Sequence, residues 1–376
     1  MKKRQFATSA IHAGEGCDPT TGAVCSPLYQ TVTYGYSSTE EYDNALAGIP
    51  WGDFFYSREA NPNARMLEKK IAELEGAEIS VVLPSGMAAV SLAVLAAVKS
   101  GDHILVNHEM FINSRQFFEN DCPEFGIEVT WVDAEDIEAM QAAVKINTKI
   151  IYIEAVTNPE TTVLDLNAIS KFAVNNKLMF IVDNTFMTPY LIRPLEFGAD
   201  VVLHSSTKYL NGHGDALGGV VSGKKEFILS VTKKMITLGA AASPFNSWLT
   251  LRGVRSLPIR MQRHCENAMA LAKFLEMHEE VDWVMYPGLE SHPHHHRAKK
   301  FLTNGFGGML QYVLKGGKER GIKLANALKV CTIATSFGDL NTLIRFDSES
   351  GETRMSVGCE DIKDLIADFN QAFGQL

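Results

Sequence analysis

From residue 61 to about 223, short β-branched runs alternate with stretches of helical period, the pattern of strands laid between helices in a mainly parallel sheet. Asn61-Pro62 reads as a cap and first-turn proline; Leu67, Ile71 and Leu74 then share one face, and Gly76 closes the helix. Strands are predicted over 79–83, 103–106, 128–132, 149–154, 178–183 and 201–205, with helices such as 134–144 and 164–176 between most of them. The apolar window 79–98 is broken by Pro84, Ser85, Gly86 and Ser91, so it reads as a buried strand followed by a buried helix and is too short to span a bilayer. Together these define a doubly wound α/β domain over residues 61–245. Residues 1–60, rich in Gly, Pro, Thr and Tyr without a sustained period, read as an extended N-terminal arm of the kind that reaches a neighbouring subunit. Residues 246–376 read as a smaller α+β domain: a long helix at 259–278, strands at 309–314, 342–346 and 353–357, and an amphipathic helix from Asp361.

Composition narrows the function classes. The 376 residues carry 35 Lys plus Arg against 44 Asp plus Glu, a net charge of −9 with no charge blocks, which disfavours nucleic acid and membrane surfaces as partners. The basic opening Met1–Arg4 is followed by Thr8, Ser9 and His12 rather than an apolar run, so a cytoplasmic chain is expected. The six cysteines include no CxxC pair, which points to free thiols rather than a zinc site or disulfide framework.

In open α/β sheets, ligands bind beyond the carboxyl ends of the strands. Four such ends carry chemistry. Leu83-Pro84-Ser85-Gly86-Met87 runs from a strand through a small-residue turn into a helix, a place for an anionic phosphate. Asp183 follows four apolar residues, and a buried carboxylate there needs a cation or hydrogen bonds. Ser205, Thr207 and Lys208 put hydroxyls and an amine just past another buried strand, and a lysine in apolar surroundings loses its charge readily. Asn158 stands at the fourth end, before Pro159. A phosphate cradle, an acid for a ring nitrogen and a Schiff-base lysine are what a pyridoxal phosphate (PLP) site needs.

Asp183-Asn184-Thr185 followed by Ser205-Ser206-Thr207-Lys208-Tyr209-Leu210-Asn211-Gly212-His213 resembles the cofactor-lysine signature of the Cys/Met-metabolism (transsulfuration) family of PLP enzymes. The likeness runs over nearly the whole chain, through Tyr56-Ser57-Arg58 in the arm, Ser85-Gly86-Met87, Tyr286-Pro287-Gly288-Leu289 and Arg354-Met355-Ser356-Val357-Gly358, and is nearest the methionine and cystathionine γ-lyases. It implies the fold type I PLP-dependent transferase fold and a homotetramer of two active dimers acting on a small amino-acid substrate. Lys208 would carry the cofactor and shuttle protons, and Asp183 would keep the ring nitrogen protonated. Ser85, Gly86, Met87, Ser205 and Thr207 would bind the phosphate, joined by Tyr56 and Arg58 of the neighbouring subunit. Arg354 would hold the substrate α-carboxylate, with Ser336 nearby and Asn158 beside the cofactor's phenolic oxygen.

Three departures bear on substrate. Phe111 stands where the family usually stacks a tyrosine on the cofactor, so stacking is kept and the phenol is lost. Asn113 and Met235-Ile236 replace residues typical of methionine γ-lyases. The bridge from Phe346 to Glu352, ahead of Arg354, is short, so a wall of the pocket is expected to be missing. The expected reaction is γ-elimination from a sulfur amino acid, with γ-replacement by a sulfhydrylase or cystathionine γ-synthase, a lyase for a Cγ–O amino acid such as canavanine, and a non-catalytic relative as alternatives. The histidines at 292 and 294–296 read as a solvated helix start, with no metal site. Gly218–Lys224 spells most of a P-loop, but Lys225 replaces the required hydroxyl residue, and the segment reads as a strand with a turn.

Overall fold

The computed structural model describes residues 4–48, 52, 54–347 and 349–376; the basic opening at 1–3 lies outside them. Seven strands form the large sheet: β1 (Ile79–Leu83), β2 (His103–Asn107), β3 (Glu128–Val132), β4 (Thr148–Glu154), β5 (Met179–Asp183), β6 (Val201–His204) and β7 (Gly219–Gly223). Their order is β1-β7-β6-β5-β4-β2-β3. From β6 through β3 every pairing is parallel, whereas β7 is antiparallel to both β1 and β6. The central strands are apolar on both faces: Ile151, Ile153, Phe180, Val182 and Val202 enter one core, and Ile150, Tyr152, Ile181, Val201 and Leu203 the other. Helices cover both sides, as a buried parallel sheet requires. The helix Pro62–Glu75 buries Leu67, Ile71 and Leu74 in the first core, between an Asn61 cap and Gly76 at φ 74°, while Gly86–Ala97 packs into the second.

The C-terminal part holds a five-stranded sheet of β8 (Val281–Met285), β9 (Met309–Leu314), β10 (Thr332–Ile333), β11 (Leu343–Phe346) and β12 (Thr353–Ser356), in the order β10-β11-β12-β9-β8. It packs with the helices Leu257–Glu276 and Ile362–Phe373 around a third core that includes Leu271, Tyr312 and Phe369. The short bridge expected between Phe346 and Glu352 is a turn between the paired β11 and β12, in which Asp347 Oδ1 accepts from the N–H groups of Glu349 and Ser350. Ser348, inside it, is outside the described residues.

The first sixty residues are less extended than their composition predicts. They contain helices Phe6–His12 and Thr39–Ala47, too short to show a clear period in the sequence. The early arm is fastened to its own chain: Lys70 Nζ donates to the carbonyls of Ala10 and Ile11, and Trp248 Nε1 donates to Ser26 O at 2.8 Å. The P-loop-like segment is strand β7, running into the helix Lys225–Leu238 with no phosphate-binding loop between. His294 does cap the helix His295–Phe301, but His292 is buried rather than solvated, with Nε2 3.3 Å from Thr161 Oγ1, and burial pulls its pKa down to about 4. No helix among the described residues is long and apolar enough to cross a membrane.

Candidate active site

A cavity of about 220 Å³ opens beyond the carboxyl ends of β1, β4, β5 and β6, where a doubly wound sheet is expected to hold its ligand. Its wall includes Ser85, Gly86, Met87, Phe111, Asn113, Asn158, Asp183, Ser205, Thr207 and Lys208, so segments from five parts of the chain converge there.

Ser85 caps the helix Gly86–Ala97, its Oγ accepting from Ala88 N at 3.1 Å. The N–H groups of Gly86 and Met87 lie in the first turn and have no intrahelical acceptor. Gly86 is there because backbone and neighbour touch: a Cβ at this position would lie 2.6 Å from Ser205 Cβ. Thr207 Oγ1 both donates to Gly218 O and accepts from Gly218 N, which ties the turn bearing Lys208 to the start of β7.

Asp183 ends β5. Its Oδ1 accepts from Thr185 N at 2.9 Å and from the Thr185 hydroxyl, and Tyr152 Oη lies 3.5 Å from its Oδ2. Burial holds its carboxyl above the ordinary carboxylate range, against those bonds. The same Thr185 hydroxyl accepts from Ser205 N at 2.9 Å and so links the acid to the hydroxyl strand end.

Lys208 Nζ donates to Ser336 Oγ at 2.6 Å and stands 5.0 Å from the centre of the Phe337 ring. Burial, with the positive charge of Arg354 adding to it, pulls the amine down to about 8. Arg354, on β12, donates from Nη1 to Asn158 Oδ1 at 3.1 Å and from Nη2 to Ser336 O at 2.9 Å. Its Nε is buried with no partner, a guanidinium donor held in reserve. Ser336, at φ 78°, therefore sets the amine with its side chain and the guanidinium with its carbonyl.

The chain matches the Cys/Met metabolism PLP-dependent enzyme family over residues 7–374. It belongs to that family. As a family member it shares 41% identity over 399 residues with an L-methionine gamma-lyase of Treponema denticola, covering 100% of this chain and 98% of the relative. It is 37% identical to an O-succinylhomoserine sulfhydrylase of Pseudomonas aeruginosa, over 99% of this chain and 96% of that one. Among solved structures, metB from Corynebacterium glutamicum superposes with a TM-score of 0.92 at 35% identity, covering 99% of this chain and 98% of the other. A metY structure from Campylobacter jejuni, which carries N'-pyridoxyl-lysine-5'-monophosphate, reaches 0.93 at 29% identity, over 98% and 99%.

The cofactor of this Cys/Met-metabolism enzyme is PLP, and the residues present fit it. The close approach of Gly86 to Ser205 leaves no room for a Cβ and would let first-turn N–H groups meet a phosphate there, and the partly neutral amine and the buried acid share the cavity. Tyr56 and Arg58 do not line the cavity of their own chain; the Arg58 guanidinium lies 4.8 Å from the Tyr56 ring centre and pairs with Glu59. Arg354 and Ser336 stand behind the cavity wall, reached through Asn158 and Lys208.

Sequence reasoning did not single out three participants. Thr185 is the shared partner of Asp183 and Ser205, Tyr152 lies against Asp183, and Glu154 lines the cavity with both oxygens bonded to backbone N–H groups. Burial, and then repulsion by Asp183, pushes the Glu154 carboxyl well above the usual range. The position of Glu154 at the end of β4, in register with Asp183 on β5, was the one available signal.

Proposed function

We propose that this chain is a PLP-dependent γ-lyase that takes an L-amino acid with sulfur at Cγ, of the methionine, homocysteine or cystathionine type, and yields 2-oxobutyrate, ammonia and a thiol. The observation that carries the reading is the meeting, at one cavity, of the lowered amine of Lys208, the buried acid of Asp183 and, just behind, a guanidinium with an unused donor. The relatives named L-methionine gamma-lyase and O-succinylhomoserine sulfhydrylase support the same chemistry.

Bound PLP would supply an electron-accepting ring that spreads the charge left when a proton leaves the substrate Cα. Gly86 and Met87 N–H, with the Ser85, Ser205 and Thr207 hydroxyls, would hold its phosphate, and Asp183 would keep a proton on its ring nitrogen. Lys208 Nζ would attach the cofactor and, once released, move the Cα proton. With a pKa of about 8, about a tenth of this amine is neutral at pH 7, against about 0.03% for an ordinary lysine. Arg354 would take the α-carboxylate through Nε, its plane fixed by Asn158 and Ser336, so that one serine spaces the acceptor of the proton from the anchor of the substrate. Phe111 would stack on the ring. Without a phenol there, the leaving group departs with less acid help, which suits a thiolate better than an alkoxide.

In the same reading a second copy of the chain supplies Tyr56 and Arg58 to the phosphate, within a tetramer of two active dimers, and the enzyme works in the cytoplasm. Arm residues Val24 and Val32, 75% and 56% exposed, are apolar surface of the kind a second copy covers. γ-Replacement is the second reading, favoured by the missing phenol at Phe111. The deciding experiment incubates the holoenzyme with methionine, homocysteine, cystathionine, O-acetylhomoserine and canavanine, each with and without added thiol, and identifies products by mass spectrometry. Release of 2-oxobutyrate irrespective of thiol supports the γ-lyase, thiol-dependent formation of a new thioether amino acid replaces it with γ-replacement, and no product from methionine, homocysteine, cystathionine or O-acetylhomoserine, with or without thiol, overturns both.

A further inference from the structure

We infer that Glu154, which none of the roles above employs, is a positioning residue that locks the turn bearing Phe111 to the turn bearing Asn158 across the active-site cavity. The inference rests on the reading of Phe111 as the stacking ring and of Asn158 as a support of the carboxylate-binding Arg354. Glu154 closes β4 and is 5% exposed. Its Oε1 accepts from Phe111 N and its Oε2 from Asn158 N, each at 2.8 Å. The first donor lies beyond β2 and the second beyond β4, whose parallel register with β2 ends at Val106 and Tyr152, so one side chain links the two turns past the point where the strand pairing stops.

The Phe111 N–H precedes the helix Ile112–Gln116 and has no acceptor inside it, so Glu154 fixes where this helix begins and hence where the ring projects. The hold is passed on at the other end. Asn158 Oδ1 receives Arg354 Nη1 at 3.1 Å, so the carboxylate that sets the ring also sets, at one remove, the guanidinium. A second link joins the same two turns, from Thr157 Oγ1 to Glu109 Oε2 at 3.0 Å. Thr157 and Glu109 lie outside the cavity wall, whereas Glu154 is part of it.

A carboxylate is the group this place needs. Both donors are main-chain N–H groups, which no substitution at 111 or 158 other than proline would remove, and each requires an acceptor. Glutamine has the same size but only one acceptor, so Glu154→Gln sets an amide N–H against a backbone N–H and must release one turn. Displacements of about 1 Å at such a site cost on the order of a hundredfold in rate.

The test measures retention of PLP and the visible circular dichroism of the bound cofactor for wild type, Glu154→Gln, Phe111→Ala and the double variant. We expect Glu154→Gln to raise the apparent PLP dissociation constant about tenfold and to alter the dichroic band, and to do so by less than twofold once the Phe111 ring is already absent, because coupled residues are non-additive. A dissociation constant within twofold of wild type would overturn the inference. So would a tenfold loss of equal size with and without the ring, since that is the behaviour of a carboxylate with a purely structural role. Should Glu154→Gln not fold, Glu154→Asp, which keeps both acceptors and shortens the reach by one methylene, must show the same dependence on Phe111, and its absence overturns the inference equally. None of these readouts needs turnover, so they remain decisive if wild type makes no 2-oxobutyrate, the result that would defeat the γ-lyase reading instead.

Discussion

Replacing Arg354 by methionine keeps most of the side chain's length and removes its charge, which separates two effects proposed for the guanidinium. Arg354 is 8% exposed, and burial lowers it to about 10, so it remains a cation at neutral pH. Truncating one partner of a buried, hydrogen-bonded charge pair costs about 2–5 kcal/mol. At 1.4 kcal/mol per tenfold, the loss in kcat/KM is about 30- to 4,000-fold. The α-carboxylate does not react, so its contact has the same strength in ground and transition states, and the loss belongs mainly in KM. The second effect is on Lys208, which the positive charge of Arg354 helps to lower to about 8; removing it moves the amine upward. Steady-state release of 2-oxobutyrate gives the first quantity, and amine-specific labelling of the apo chain between about pH 6 and 10, read at the Lys208 peptide, gives the second. A KM within threefold of wild type, or a loss confined to kcat, would refute the assignment of Arg354 as the carboxylate anchor. A Lys208 labelling profile that does not move would refute the charge coupling.

Lys208→Ala should abolish turnover while leaving folding intact, and any sizeable residual activity would remove Lys208 from the mechanism. Lys208 also has a stability signature. Below about pH 8 it is charged in both the folded and the unfolded apo chain, so the folded state bears the burial cost; between that value and 10.5 the unfolded chain binds more proton, and stability rises with pH. Lys208→Met should therefore be more stable than wild type at pH 7 by denaturant titration, with the gap closing toward pH 10.5, and a gap independent of pH would contradict the lowered amine. Phe111→Tyr should shift activity toward poorer leaving groups across a panel of γ-substituted amino acids, and an unchanged profile would show that the phenol does not matter here. Gly86→Ala, whose Cβ would sit 2.6 Å from Ser205 Cβ, should lose about 1–3 kcal/mol of stability and bind PLP more weakly in a fluorescence titration.

Much of the large sheet was legible because its strands are β-branched runs with apolar residues on both faces, and the residues that follow them, Asp183, Ser205 and Lys208, fall at carboxyl ends where chemistry is expected. Strand β8 escaped notice: Val281–Met285 is short, and it carries Asp282 and a half-buried Trp283. Helices Phe6–His12 and Thr39–Ala47 span too few turns for a period to emerge. In the site, side chains with distinctive chemistry were visible, whereas contacts made through backbone atoms were not. Glu154 binds two N–H groups that any residue provides, so its role leaves no side-chain partner to read, and Ser336, expected near Arg354, turns out to steer it with a carbonyl that any residue could supply. The contact between Arg354 and Asn158 joins positions 196 apart, a pairing that only the folded chain reveals.

The central claim, that Lys208 is the amine that carries the cofactor, is tested most directly by incubating the chain with PLP, reducing with borohydride and sequencing the peptides by mass spectrometry. The account predicts a pyridoxyl group on the peptide containing Ser205-Ser206-Thr207-Lys208, attached at Lys208 Nζ. A modification on another lysine, or none at all under conditions that saturate the protein with PLP, would contradict it.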